Sequence, residues 1–335
     1  MFPMIIQAPM AGGATTPELV HAVSTAGGLG FLAAGYLSSA QLEEQISKTK
    51  ALGTNSFGVN LFVPNEQSKL DEEVKTYERT MQELAEQLGT EAGIPRYSDD
   101  EWDEKIRFLL TLDIAYVSFT FGCPSKETIE LFQQKQTKTI VTVTTLVEAQ
   151  FAIKQGADGL CVQGLEAGGH RGSFEANQAR ATQKPLRELL SEIREVSELP
   201  LIASGGIMDG REIKELIALG AAAVQLGTAF LCCPESGASP LHKESLQNGS
   251  FTETALTHAY TGRPARGLAN SFMQEHEDAP PAYPELHYLT QPIRKKAVQD
   301  RDTHVAAMWA GVNFSHVRVM SAGDLVKLLY QEAQE

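Results

Sequence analysis

Residues 201–228 read LIASGGIMDGREIKELIALGAAAVQLGT, and the fold follows from how this stretch is parsed. Residues 201–204 are an apolar run without polar alternation, as in a strand buried on both faces of a parallel sheet. Gly205 and Gly206 end the run. A helix opens at Asp209-Gly210 and reaches about residue 219, with Gly220 where a helix C-cap is expected. A second apolar run, 223–226, closes on Gly227-Thr228. Strand, helix and strand in this order make a βαβ unit with parallel strands.

Moving outward, the same rhythm recurs. Strands are predicted over 4–8, 29–34, 57–62, 114–120, 139–143 and 159–163. Helices are predicted over 16–25, 38–52, 125–136, 146–155 and 185–197. Thr16-Pro17 supplies a cap residue followed by proline in the first turn, and Gly156 stands at a helix end. Eight strands alternating with helices specify the α/β class and a closed (β/α)8 TIM barrel, with an open doubly wound sheet as the rival arrangement. Two regions break the rhythm. Residues 64–105 are acidic and helical, an insertion after the third strand. Residues 231–304 scatter Pro, Gly and His among short helices. The expected organisation is therefore a barrel from 1–230 plus about 305–335, with a mostly helical subdomain at about 231–304 covering its mouth.

Composition narrows the function classes. With 42% hydrophobic and 21% charged residues the chain is ordinary globular protein, long enough at 335 residues for a well-buried core. A net charge of −14 argues against nucleic-acid and anionic-membrane partners. No stretch approaches the roughly 20 apolar residues of a membrane span, and the first residues lack a basic leader. Cys123, Cys161, Cys232 and Cys233 show no zinc spacing, and such sparse use fits a reducing cytoplasm. The histidines show no metal spacing, so no metal site is expected. Gly28-x-Gly30-x-x-Ala33 matches a relaxed dinucleotide fingerprint, but it precedes a strand instead of following one and is rejected.

In a barrel the chemistry collects at the C-terminal ends of the strands. After the first strand come Ala8-Pro9-Met10 and small residues that let backbone approach a flat ligand, a tight turn being the plainer reading. The third carries Asn60, able to donate and accept, or simply a turn residue. The sixth runs from Gln163 into Gly168-Gly169-His170-Arg171-Gly172, a glycine-rich loop no core demands. His170 titrates near neutrality and suits a general base, and Arg171 is expected to attract an anionic substrate or to orient the loop. Gly205 and Gly206 after the seventh strand, with Gln225, Leu226, Gly227 and Thr228 at the eighth, occupy the ordinal positions where barrels bind phosphate.

These segments together, QAPMAGG, FGVNLFVP, FTFGCPS, GLEAGGHRGSF, ASGGI, QLGTAF and HYLTQPIRKKA, resemble class I nitronate monooxygenases, formerly called 2-nitropropane dioxygenases, over nearly the whole chain. EAGGHRG is the most specific of them. The resemblance implies FMN held by Asn60, Gln163, Gly168, Gly206 and Gln225 to Thr228, and His170 as catalytic base beside the flavin. It implies oxidation of alkyl nitronates such as propionate 3-nitronate by O₂ to a carbonyl compound and nitrite. Tyr288 is carried over as a substrate-pocket residue. The alternative is an FMN-dependent enoyl-acyl-carrier-protein reductase using NAD(P)H, which shares the barrel and a Gly-Gly-His loop. A third reading is a flavin-binding sensor in which His170 is incidental.

Overall fold

The structure, a computed structural model, describes residues 2–175 and 184–335. Eight parallel strands close into a barrel: β1 (Ile5–Gln7), β2 (Leu29–Ala33), β3 (Gly58–Phe62), β4 (Tyr116–Thr120), β5 (Lys138–Val143), β6 (Gly159–Gln163), β8 (Leu201–Ser204) and β9 (Ala223–Leu226), with β9 pairing back onto β1. A short β7 (Gly169–His170) lies outside it. Closure disposes of the open-sheet rival: Ile6 pairs with Leu29 on one side and Gln225 on the other. Gly30 sits inside β2, in agreement with the rejection of the dinucleotide fingerprint.

The ring of helices contains α1 (Pro17–Thr25), α2 (Ser39–Ala51), α4 (Trp102–Leu110), α5 (Lys126–Gln134), α6 (Leu146–Gln155), α7 (Leu186–Val196) and α8 (Gly210–Ala218). The caps behave as the sequence predicts. Thr16 accepts from the Leu19 amide, Asp209 from that of Glu212, and Gly156 ends α6 in the left-handed conformation. The C-terminal α13 (Ala322–Gln334) packs against α8 and α1, where the ring would otherwise have a gap.

Inside the barrel the two ends differ chemically. The lower layer is apolar: Ile6, Leu29, Phe31, Ile140, Ile202 and Ala223, with Phe2 packed beneath. The layer at the C-terminal ends is polar, with Asn60, Ser118, Thr120, Thr142, Gln163, Ser204 and Gln225. Barrel interiors are usually filled by branched aliphatics. Buried polar groups are retained only where partners meet them, so this layer is built to face something polar.

A second core covers the mouth. It gathers residues from α3 (Asp71–Gln87), α9 (Thr228–Leu231), α10 (Pro240–Gln247), α11 (Ser271–Glu275) and α12 (Glu285–Gln299). The inserted stretch after β3 thus splits: α4 joins the ring while α3 packs on α12 through Val74, Tyr77, Met81 and Ala85. The segment expected to be mostly helical also contains strands. β10 (Thr254–Thr257) and β11 (Ala265–Leu268) form an antiparallel pair, and β11 pairs in turn with β7, setting Ala265 opposite His170. These strands are too short, and too closely bounded by Gly262, Pro264 and Asn270, to show a period of two in the sequence. Through them the histidine loop becomes an edge of the cover. No described helix is long and apolar enough to cross a membrane.

Candidate active site

Between barrel and cover lies a cavity of about 670 Å³, within the range of small-molecule and cofactor sites. Every residue predicted from the strand ends to hold a cofactor lines it: Ala8, Pro9 and Met10 after β1, Asn60 in β3, Gln163 at the end of β6, Gly168, the pair Gly205 and Gly206, and Gln225, Leu226, Gly227 and Thr228. His170 lines it as well.

Two loops form one end. Gly205 and Gly206 have φ of +127° and +72°, which only glycine adopts without strain, and successive amides in such a turn make an anion-binding concavity. A Cβ on Gly227 would meet nothing closer than the Ala8 Cβ at 3.5 Å and the Met10 sulfur at 3.7 Å. Glycine there relieves no clash; it keeps cavity space free. A strap from the C-terminal segment fixes both loops: Asn313 Nδ2 donates to the Gly206 carbonyl at 2.7 Å and the Gly311 amide donates to Thr228 Oγ1 at 3.0 Å. At the floor, Asn60 Nδ2 donates to Ser118 Oγ at 2.9 Å and Thr120 Oγ1 at 3.0 Å, which presents its carbonyl end to a ligand. These groups, an amide-lined turn beside a polar floor, suit a cofactor that carries a phosphate.

The opposite end is aromatic and basic. Gln163 spans the histidine loop, its Nε2 donating to the His170 carbonyl at 3.1 Å and its Oε1 accepting from the Gly172 amide at 2.8 Å. The His170 imidazole packs among Phe121, Tyr283 and Trp309 with centroids 5.6–6.2 Å away. Its Nε2 lies 2.9 Å from Thr261 Oγ1. Burial, followed by the Arg263 and Arg294 guanidinium groups, pushes its pKa down to about 3. The ring is therefore neutral at physiological pH and able to take a proton. Among the described residues lining the cavity there is no Asp or Glu, whereas Arg294 and Lys295 both do so. In a chain of net charge −14 this is a local reversal of field, and it favours an anion.

Two predicted residues belong elsewhere. Arg171 is 1% exposed and does not line the cavity; its guanidinium donates to the carbonyls of Gly164 and Gln163 and so braces the loop from behind. Of the two roles considered for it, orientation is the one the contacts support. Tyr288 also misses the cavity, its ring lying under Arg96 at 4.2 Å. The residue before it does face inward, and α12 contributes His287, Gln291, Arg294, Lys295 and Val298. That spacing is one face of a helix, and the periodicity of HYLTQPIRKKA would have shown it. Tyr36 and Thr261 carried no such signal. Tyr36 reaches the site through a positive φ of +67°, its amide held by Asp100 Oδ1 at 2.9 Å and its ring stacked on His287 at 3.8 Å.

Two buried histidines and the half-buried His170 set a pH dependence. Burial first of all lowers His170 to about 3 and His242 to about 4, and it holds His287 well below the ordinary range. The unfolded chain takes up these protons near pH 6.5 and the folded chain does not, so stability falls as pH drops from about 6.5 toward 4. The slope is about 1.4 kcal/mol per pH unit for each such histidine. Thermal unfolding of the cofactor-free protein is expected at steadily lower temperature from pH 7 to pH 5, and less steeply in His242→Gln. Equal slopes for the two proteins would mean that His242 protonates while folded.

Comparison with known proteins agrees with this geometry. The sequence pattern of the nitronate monooxygenase family matches residues 1–332. The chain is 38% identical to a probable nitronate monooxygenase of Staphylococcus saprophyticus, covering 99% of this chain and 94% of that one. It is 39% identical to one from Staphylococcus aureus, covering 92% and 87%. Among solved structures, a nitroalkane oxidase from Streptomyces ansochromogenes superposes with a TM-score of 0.96 at 42% identity, over 99% of this chain and 96% of that one. FabK from Thermotoga maritima superposes with a TM-score of 0.75 at 25% identity, over 99% and 93%.

Proposed function

The chain belongs to the nitronate monooxygenase family, whose members are flavin-dependent oxidoreductases, and from that premise we propose that it binds FMN and oxidises alkyl nitronates with O₂ to a carbonyl compound and nitrite, with His170 as catalytic base. The observation that carries the reading is a neutral, half-buried imidazole in a cavity lined by Arg294 and Lys295 and, among the described residues, by no Asp or Glu. A nitronate is an anion, and a neutral nitroalkane becomes one by losing a proton from carbon.

When bound, FMN supplies the electron acceptor and the route to O₂. The chain's own residues supply the rest. The loops at Gly205-Gly206 and Gly227-Thr228 offer backbone amides to a phosphate, and Asn60 and Gln225 meet the polar parts of the cofactor. Phe121, Trp309 and Tyr36 give the cavity an aromatic wall, and a low-polarity wall strengthens the charge interactions beside it. His170 takes the α-proton of a neutral nitroalkane, and the guanidinium of Arg294 stabilises the charge left behind. All four cysteines are free, in keeping with a cytoplasmic enzyme acting on a small molecule.

The test is direct. The purified protein should be yellow and release FMN on denaturation. Its flavin should be reduced anaerobically by propionate 3-nitronate and not by NAD(P)H. Rapid reduction by NAD(P)H alone would move the assignment to the enoyl reductase reading, and a colourless protein that does not take up FMN would end both. The higher identity to the nitroalkane oxidase than to FabK favours the nitronate reading.

A further inference from the structure

The segment joining β10 to β11 does more than cover the site. It delivers Thr261, 1% exposed, to the side of the imidazole away from the backbone. We propose that Thr261 is a positioning residue that holds neutral His170 as its Nε2–H tautomer, so that Nδ1 is the atom that accepts the substrate proton. This rests on the reading of His170 as the base and adds which nitrogen acts and what selects it.

The argument is a count of protons. A hydroxyl has one hydrogen and two lone pairs, and neutral imidazole has one N–H and one lone pair. Thr261 Oγ1 lies 3.2 Å from the Arg263 carbonyl oxygen, to which it donates, and 2.9 Å from His170 Nε2. The Arg263 carbonyl can only accept. With the hydroxyl proton given to it, Oγ1 has only lone pairs to offer Nε2, so the ring must bring the hydrogen. The opposite assignment would take the hydroxyl proton away from the Arg263 carbonyl and leave that acceptor unsatisfied, which is costly away from water. The Arg263 amide, 3.4 Å from Oγ1, also donates to it and supports the same polarity. Nδ1 has no hydrogen-bond partner among the described residues, while the ring lines the cavity. The turn is rigid where it matters. Gly262 has φ +78°, and a Cβ there would lie 2.1 Å from the Ala282 carbonyl oxygen. Arg263, fully buried, is anchored by Asn65 Oδ1 at 2.6 Å and by the carbonyls of Arg171 and Ser173.

Thr261→Val keeps the shape and removes the hydroxyl, and Thr261→Ser restores it. The first readout needs no turnover. Heteronuclear NMR of the imidazole nitrogens in the flavin-loaded protein, with His170 assigned by its absence in His170→Asn, should show the proton on Nε2 in the wild type and in Thr261→Ser. A mixture of tautomers, or Nδ1–H, is expected in Thr261→Val. The second readout separates substrates. Thr261→Val should lose about tenfold in kcat/KM with nitroethane, the scale of one hydrogen bond, and much less with preformed ethyl nitronate, which has no α-proton to give. Thr261→Ser should recover the nitroethane rate. Nδ1–H in the wild type, or equal losses on the two substrates, overturns the proposal. A wild type showing Nε2–H but oxidising neither substrate would leave the tautomer standing and reject the nitronate reading beneath it.

Discussion

Replacing His170 by asparagine is expected to lower kcat/KM for nitroethane by about 10²–10⁴-fold, the span general-base catalysis commonly covers, and to lower that for preformed ethyl nitronate far less. Asparagine is smaller than the imidazole, its amide ends near where Nδ1 lies and so falls short of Thr261, which met Nε2, and it cannot accept a proton from carbon. The neighbours make this an informative change. Gln163 holds the backbone at 170 through the carbonyl, not the side chain, and β7 stays paired with β11, so the loop has no reason to collapse. Circular dichroism and flavin content should match the wild type. The pH dependence adds a second check. Burial and the two guanidinium groups hold the His170 pKa below that of a free imidazole, so the acid limb of the nitroethane profile should lie below pH 6.5 and vanish in His170→Asn. Steady-state rates in an oxygen electrode measure both. Equal losses on the two substrates would mean that the imidazole binds the anion and does not take the proton.

The barrel was legible because parallel strands buried on both faces must be apolar throughout, and residues 201–204 and 223–226 are. The cavity-facing residues were legible for a related reason: a barrel puts its chemistry at the strand ends, so ordinal position along the chain becomes position around one rim, and Asn60, Gly206 and Thr228 line one cavity although far apart in sequence. The cover was not legible in the same way. Its contribution depends on packing between segments distant in sequence, as in the pairing of β11 with β7, and on single backbone conformations such as that of Tyr36, for which no local pattern exists. Arg171 shows where sequence leaves a choice open. Beside His170 a charged residue could attract an anionic substrate or orient the loop, and carbonyl groups of its own loop satisfy it, which supports the second role.

Arg294 lets function be separated from stability. Its guanidinium is half-buried, and desolvation lowers its pKa; its hydrogen-bond partners among the described residues are neutral: Nε donates to Thr290 Oγ1 at 3.1 Å, and one terminal nitrogen meets the carbonyl and Nδ1 of His287 at 2.9 and 3.3 Å. No carboxylate compensates it among the described residues, and a partly desolvated charge without a counter-ion carries a cost. Such a group destabilises the cofactor-free protein, and an arriving anion offsets that cost. Arg294→Met should therefore move two quantities in opposite directions. Losing a charge-assisted contact worth about 1.5–3 kcal/mol should reduce kcat/KM for ethyl nitronate by about 10–150-fold. The cofactor-free variant should be more stable by about 1 kcal/mol, read as a rise of about 2 °C in Tm, because a methionine of similar length fills the space without the desolvation cost. The same substitution removes one of the positive charges that hold the His170 pKa down, so that pKa should rise and the acid limb of the nitroethane profile should move toward neutrality. Calorimetry and steady-state kinetics on one preparation decide the matter. A less stable variant with unchanged kcat/KM would make Arg294 a structural strut for α12, held there by His287 and Thr290, and would leave Lys295 as the cation the substrate meets.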